Sequence, residues 1–295
     1  VIKDKLPAEE LLEIIPDFDG LIVRSASKVT KEVIERAKKL KIVGRAGVGT
    51  DNIDINAATA HGIMVINSPG GNTIAATEHT MGMMMAMARN IAVANETMQH
   101  GEWNRKKYTG VELRGKTLGV IGLGAIGGKI ANAAVALGMD VIGYDPFLSV
   151  NAAIQLEPAV KVTADINDIY KNSDYITIHV PYTPDTKNTI DEAQIAMMKD
   201  GVRLINLARG ELINSAAVVK AIKDGKVAKY VTDFADDVVL GEENVIVLPH
   251  LGASTPESED NCATMAAHEL IDYIEKGTIK NSVNFPNAEL AKTGD

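Results

Sequence analysis

A chain of 295 residues, 46% apolar and 23% charged, has room for two ordinary globular domains and the composition of neither a disordered nor a membrane-embedded protein. A formal net charge of −9 excludes a general nucleic-acid surface but leaves room for one basic pocket and a small anion. One cysteine, Cys262, excludes an internal disulfide, and no apolar run reaches membrane-spanning length. The opening Val1-Ile2-Lys3-Asp4-Lys5 carries neither a signal nor a transit pattern, so the cytoplasm is the default compartment. A start on Val1 instead of methionine leads us to expect natural residues ahead of it.

In chain order, strands are predicted over residues 21–24, 42–44 and 63–66, with a helix over 31–40. The turn-rich run Asn67-Ser68-Pro69-Gly70-Gly71-Asn72 breaks the pattern. One long helix then runs from Thr73 to about His100. Its methionine-dense stretch 81–87 reads as core or subunit-interface packing. Strands over 117–122, 140–144, 175–179, 202–206, 227–232 and 245–248 follow, interleaved with helices over 125–137, 191–198 and 215–223. Such alternation argues parallel sheets covered by helices. Nine strands are more than one sheet comfortably needs, so two sheets are expected. Leu251-Gly252-Ala253-Ser254-Thr255-Pro256 is a second break, after which a last helix runs to about Lys276. The chain thus leaves one domain near Asn72 and returns near Pro256. The expected division is a discontinuous domain of 1–71 and 257–286, an inserted domain of 72–256, and a tail or linker of 287–295.

Gly122-Leu123-Gly124-Ala125-Ile126-Gly127 sits between a predicted strand and a predicted helix, the context a dinucleotide-binding turn requires. Gly122 would permit the tight turn, Gly124 the approach of a pyrophosphate, and Gly127 close helix–strand packing. The helix N-terminus would add N–H donors and dipole. The next strand ends at Tyr144-Asp145, with Asp145 23 positions after Gly122. An acid there accepts ribose hydroxyls and repels the extra phosphate of NADP, so NAD is the expected cofactor.

Two further strand ends carry reactive side chains. Asn206-Leu207-Ala208-Arg209-Gly210 puts a guanidinium where doubly wound sheets bind ligands, suited to a carboxylate. Pro249-His250-Leu251-Gly252 puts a histidine at another such end, suited to proton exchange with a hydroxyl. Gly44-Arg45-Ala46-Gly47-Val48-Gly49-Thr50 is a glycine-rich candidate anion nest in the other domain. Taken alone, a histidine like His250 is more often structural than catalytic and an arginine like Arg209 more often in a surface ion pair; their positions at strand ends bring each to even odds. No metal-ligating pattern is expected.

Together and in this order, the glycine turn with Asp145, Asn206–Gly210 and Pro249-His250-Leu251-Gly252-Ala253-Ser254-Thr255 resemble the D-2-hydroxyacid dehydrogenase family over nearly the whole chain. The resemblance implies a Rossmann-type doubly wound parallel sheet inserted into a smaller flavodoxin-like substrate domain, with the site in the cleft. It implies NAD contacts from Gly122, Gly124, Ala125, Ile126, Gly127, Tyr144, Asp145, Val180, Pro181, Ala208 and Asp233. It implies substrate contacts from Arg24, Ser25, Arg45, Val48, Gly49, Asn72, Arg105 and Arg209, with Arg105 reaching in from a partner subunit of a homodimer. Trp103-Asn104-Arg105-Lys106-Lys107 and Val23-Arg24-Ser25 liken the chain most to members that take a doubly anionic, phosphorylated 2-hydroxy acid. Two rival readings stand beside this one: a dehydrogenase of unphosphorylated 2-hydroxy acids, and an NAD-sensing corepressor-like binding protein built on the same fold. Members of the phosphorylated-substrate type often carry a regulatory domain beyond a linker like Asn281-Ser282-Val283-Asn284-Phe285-Pro286, so either a short form or part of a longer chain is expected.

One family feature is missing. A glutamate about 29 positions after the arginine pairs with the histidine in the family, but that count from Arg209 lands on Val238. The local run is Asp233-Phe234-Ala235-Asp236-Asp237-Val238-Val239. Either Asp237 or Asp236 reaches His250 from a rearranged loop, or His250 works without a carboxylate, or catalysis is weak. Asp237, one position from the expected site, is the favoured acid partner.

Overall fold

The structure, a computed structural model, describes residues 6–288. The first segment contains α1 (Ala8–Ile14), β1 (Gly20–Val23), α2 (Lys31–Arg36), β2 (Ile42–Arg45), α3 (Ile55–Ala60) and β3 (Met64–Asn67). Next come α4 (Thr73–Ala88), α5 (Ile91–Gln99), β4 (Thr117–Ile121), α6 (Ala125–Ala136), β5 (Asp140–Tyr144), α7 (Val150–Ile154), β6 (Val160–Thr163) and α8 (Ile166–Asn172). Then follow β7 (Tyr175–Ile178), α9 (Glu192–Met197), β8 (Val202–Asn206), α10 (Ser215–Lys223), β9 (Val227–Thr232), β10 (Val245–Val247) and α11 (Pro256–Lys276). The opening pentapeptide and residues 289–295 of the expected tail lie outside the described residues.

The chain divides into two compact units. One spans Ala75–Gly252; the other joins the segment ending at Ile74 to the segment beginning at Ala253. In the smaller unit, β1, β2 and β3 form a parallel sheet in sequential order. Its strands are apolar on both faces because α1–α3 cover one and α11 the other, with Ala266 of α11 fully buried beneath β2. The ends of α11 are written in its sequence. Thr255 accepts from Ser258 N at 3.1 Å, Pro256 occupies the first turn, and Gly277 closes the helix at φ 69°.

The larger unit holds seven parallel strands in the order β10-β9-β8-β7-β4-β5-β6. The order reverses between β4 and β7, the switch point that opens a crevice at the strands' carboxyl ends. Alternate residues of β4 serve opposite faces. Leu118 and Val120 pack with Met81, Met84 and Met87 of α4 and Ile130 of α6, whereas Ile121 joins the cluster of α8, α9 and α10. The methionine stretch therefore contributes to core packing, with Met85 left partly exposed.

Three local expectations differ from the fold. The long helix from Thr73 breaks after Ala88, because Asn90 adopts a left-handed conformation (φ 56°) and ties its amide to Tyr108 O at 3.3 Å. Asparagine tolerates that region better than most residues. The helix from Lys31 stops at Arg36, since Ala37 and Leu40 both turn into the core. Strand β6 carries buried Val160 but exposed Lys161 and Val162, and this edge character hides it from an apolar-run search.

Candidate active site

Every strand end around the switch point of the larger unit presents a sequence-predicted residue. After β4, Gly122 turns the chain at φ 91°, and a Cβ there would meet His179 O at 2.5 Å. Gly127 lies so close to the turn that a Cβ would fall 1.9 Å from Gly122 O. Gly124, the residue before α6, has open space where its Cβ would be. The cradle that a pyrophosphate needs is therefore present, with the α6 N-terminus behind it. Asp145 after β5 accepts Leu123 N and Phe147 N, each at 2.9 Å, through different oxygens. This fixes the carboxylate beside the turn, and each oxygen retains a lone pair for a ribose hydroxyl. Val180 and Pro181 follow β7, and Ala208 follows β8.

The acid–base centre is where the sequence reading needs correction. Leu248 N donates to Thr232 O at 3.0 Å, which aligns the segment after β10 with the end of β9. His250 then sits in the left-handed region at φ 52°, uncommon for a residue with a side chain. Its Nδ1 lies 2.9 Å from Asp233 Oδ2, and its ring packs on Phe234 with centroids 4.9 Å apart. The Asp233 side chain is 0% exposed and that of His250 56% exposed, so a buried carboxylate supports a ring open to a reactant. Asp233, not Asp237, is the acid beside His250. Asp237 is exposed and lines a surface hollow with Lys220 and Lys223 of α10, Asp224 just past that helix, and nearby Glu242. Asp236 is likewise diverted, accepting Val238 N and Val239 N at 2.9 Å.

The physical reason lies in Val239, 1% exposed in the core cluster beneath α10. Burying a valine is worth about 1.5–2 kcal/mol, and a surface acid–lysine attraction under about 1 kcal/mol. The apolar anchor thus decides where this short loop points. Asp233 was placed by resemblance at the cofactor; the fold gives it the histidine as well.

Arg209 follows β8 with its carbonyl held by Asn206 Nδ2 at 2.8 Å. Its guanidinium NH1 donates to Ala208 O at 2.7 Å. Asn206 is itself fully buried, and its Oδ1 accepts Ala208 N at 3.3 Å. His179, absent from the expected site, follows β7: its Nε2 lies 2.7 Å from buried Thr177 Oγ1, and burial pulls its ring down to a pKa of about 4. Its sequence signal is the place of His179 directly before Val180-Pro181 at a strand end. Arg105 is exposed near Trp103 and Tyr108 in a hollow formed after α5.

The smaller unit carries the other predicted substrate contacts. Arg24 and Ser25 follow β1, and Arg24 NH2 is ion-paired with Glu259 at 2.6 Å. Both partners are well exposed, so the pair is weak and its guanidinium exchangeable. Arg45 ends β2 and folds over Gly47, where a Cβ would fall 2.3 Å from its NH1. Val48 and Gly49 complete that turn, held by Asn67 Nδ2 to Val48 O at 2.8 Å. Asn72 has a buried side-chain oxygen with no hydrogen bond among the described residues. No group of three or more His, Cys, Asp or Glu with metal-holding geometry occurs among the described residues.

Residues 81–252, more than half of the chain, match the profile of the D-isomer specific 2-hydroxyacid dehydrogenase, NAD binding domain. The chain belongs to the D-isomer specific 2-hydroxyacid dehydrogenase family. Among curated members of this family, it is 46% identical to the D-3-phosphoglycerate dehydrogenase of Methanocaldococcus jannaschii, over 98% of this chain and 56% of that protein. It is 45% identical to that of Archaeoglobus fulgidus, over 98% of this chain and 55% of the relative. The chain therefore spans about half the length of the curated relatives it matches. Among solved members, the NAD+-bound 3-phosphoglycerate dehydrogenase of Entamoeba histolytica superposes with a TM-score of 0.80 at 31% identity, over 96% of this chain and 88% of that one. A D-2-hydroxyisocaproate dehydrogenase gives 0.84 at 28% identity, over 95% and 90%. The Rossmann-type NAD-binding unit is thus the family's, and NAD is its cofactor.

Proposed function

We propose that this dehydrogenase oxidises D-3-phosphoglycerate to 3-phosphohydroxypyruvate, the first step of serine synthesis. The observation that carries the reading is the His250–Asp233 pair on the same row of strand ends as the glycine turn. Names of relatives at 41–46% identity supply the substrate. Bound NAD supplies the hydride acceptor for C2. His250 takes the proton of the C2 hydroxyl, and Asp233, too buried to be solvated, stabilises the imidazolium that results. In the reverse direction the charged ring returns that proton to the forming alkoxide. Arg209 exchanges its bond to Ala208 O for the substrate carboxylate, a charge-assisted contact. Arg24, Arg45 and Arg105 are assigned to the phosphate, with Ser25, Val48, Gly49 and Asn72 as neighbouring contacts.

A panel of 2-hydroxy acids with and without phosphate tests the reading. 3-Phosphoglycerate is expected to give the highest kcat/KM, and preference for unphosphorylated lactate, glycerate or glycolate sinks it. Arg24→Ala or Arg105→Ala should raise KM for 3-phosphoglycerate far more than for glycerate, by the on the order of 1.5–3 kcal/mol that a lost charged hydrogen bond costs. Equal losses on both substrates would make these arginines structural. A second reading, a reductase of hydroxypyruvate or glyoxylate, leaves Arg24 in its ion pair with Glu259 and unused by the substrate. The same panel separates the two. The working assembly on this reading is a cytoplasmic homodimer; sedimentation of a monomer in active enzyme would overturn that part. Among the described residues no helix is long and apolar enough to cross a membrane.

A further inference from the structure

The glycine-rich turn of the smaller unit is held from the end of β3. Ser68 N donates to Gly47 O at 2.9 Å, and Asn67 Nδ2 donates to Val48 O at 2.8 Å. In a planar trans peptide the C=O and the following N–H point in opposite directions. Tying these two successive carbonyls to β3 therefore turns the N–H groups of Val48 and Gly49 away from it. Neither N–H donates to another group among the described residues. Two successive free donors on a glycine-rich turn make a nest for an anion.

Asn67 is itself anchored on both sides. On β2 its register partner is Arg45. On the other side the segment after α11 runs antiparallel to β3, with Asn67 N donating to Asn281 O at 3.3 Å and Val283 N to Val65 O at 2.9 Å. Asn284 strengthens this strap, accepting Val65 N at 2.9 Å and donating to Ile63 O at 3.0 Å. Asn281 adopts the left-handed region at φ 50°, with its amide on Glu269 of α11. The backbone of Asn67 is thus fixed, and its side chain is left to hold Val48 O.

We propose that Asn67 is a positioning residue: through Val48 O it aims the Gly49 N–H at the anionic end of the substrate. The inference rests on the dehydrogenase reading, in which Val48 and Gly49 contact substrate, and it applies to any 2-hydroxy acid. Asn67 acts through the peptide and not on the reacting atoms. Without its amide the Val48–Gly49 peptide plane is free to rotate, and the substrate must order it on binding. The same contact serves substrate and transition state, so the loss falls on binding and not on hydride transfer.

The test is steady-state kinetics of Asn67→Ala with 3-phosphoglycerate and NAD. KM for the hydroxy acid should rise about tenfold, as loss of one orienting hydrogen bond predicts, with kcat and the KM for NAD within about twofold. If Asn67→Ala melts well below the parent, Asn67→Leu, which keeps the size and removes the donor, takes its place. An unmoved KM, or a fall in kcat alone, in a folded variant overturns the proposal. A parent that prefers another 2-hydroxy acid is assayed with that acid, so failure of the phosphoglycerate reading leaves this test standing. A parent that oxidises none defeats the functional reading, and a second arm then decides. It follows the Gly49 amide signal of the NADH-bound protein by NMR as sodium oxalate is added. The signal should shift in the parent and need about tenfold more oxalate in the variant. No shift in the parent, or equal midpoints in the two proteins, overturns the proposal.

Discussion

At the residue scale, the chemistry turns on which acid faces His250. Asp233→Asn keeps the size of the side chain and removes its charge, leaving a buried amide against the ring. We expect turnover to fall by about 10²-fold or more, as loss of a general base's supporting charge does, with NADH still bound. Asp237→Asn alters an exposed group beside Lys220 and Lys223 and should leave turnover within roughly twofold. Steady-state kinetics on the two variants decide between them: a slow Asp237→Asn with a normal Asp233→Asn would restore the partner expected from sequence. His250→Ala should cost on the order of 10²–10⁴-fold in kcat with NAD affinity retained.

At the scale of elements, the β4–turn–α6 unit and the end of β5 determine cofactor choice. Asp145 is held by two backbone amides, so its charge stays in place whether or not a ribose is bound. Hydride transfer should strongly favour NAD over NADP, and Asp145→Ala should narrow that ratio by at least about tenfold. Equal efficiency of both cofactors in the unmodified enzyme would contradict the role. Gly127→Ala is a harsher probe of the same unit. Its methyl would overlap Gly122 O, so α6 must shift from β4 and the phosphate cradle opens. The expected outcome, read by calorimetric titration and thermal melting, is loss of NAD binding together with a lower Tm. A variant that melts and binds as the parent would show that the turn has slack the geometry denies.

At the scale of the whole molecule, burial of His179 links the fold to pH. Its folded pKa of about 4 lies below the ordinary 6.5, so the unfolded chain binds the extra proton between those values. The contribution to stability is therefore complete above about pH 6.5 and is lost as pH falls toward 4. The residue as a whole is partly exposed although its ring is enclosed, so the contribution is about 1–3 kcal/mol, below the full linkage value. Melting curves between pH 7 and 5 should show Tm falling with pH, and falling less in His179→Gln. Parallel slopes in the two proteins would remove His179 as the cause.

Much of this protein is readable without coordinates, because the controlling interactions are local. Strand–helix alternation, Gly122-Leu123-Gly124-Ala125-Ile126-Gly127 and the caps of α11 each depend on neighbours a few residues apart. The arrival of Asp145, Arg209 and His250 at strand ends follows from the same alternation, since each simply comes after an apolar run. Three features are set by contacts between distant segments. The break at Asn90 depends on Tyr108, an edge strand on its sheet neighbour, and the acid beside His250 on a valine that sinks into the core six residues after Asp233. Spacing along the chain put the acid one position from Val238; burial of Val239 turned that loop outward and left the task to Asp233.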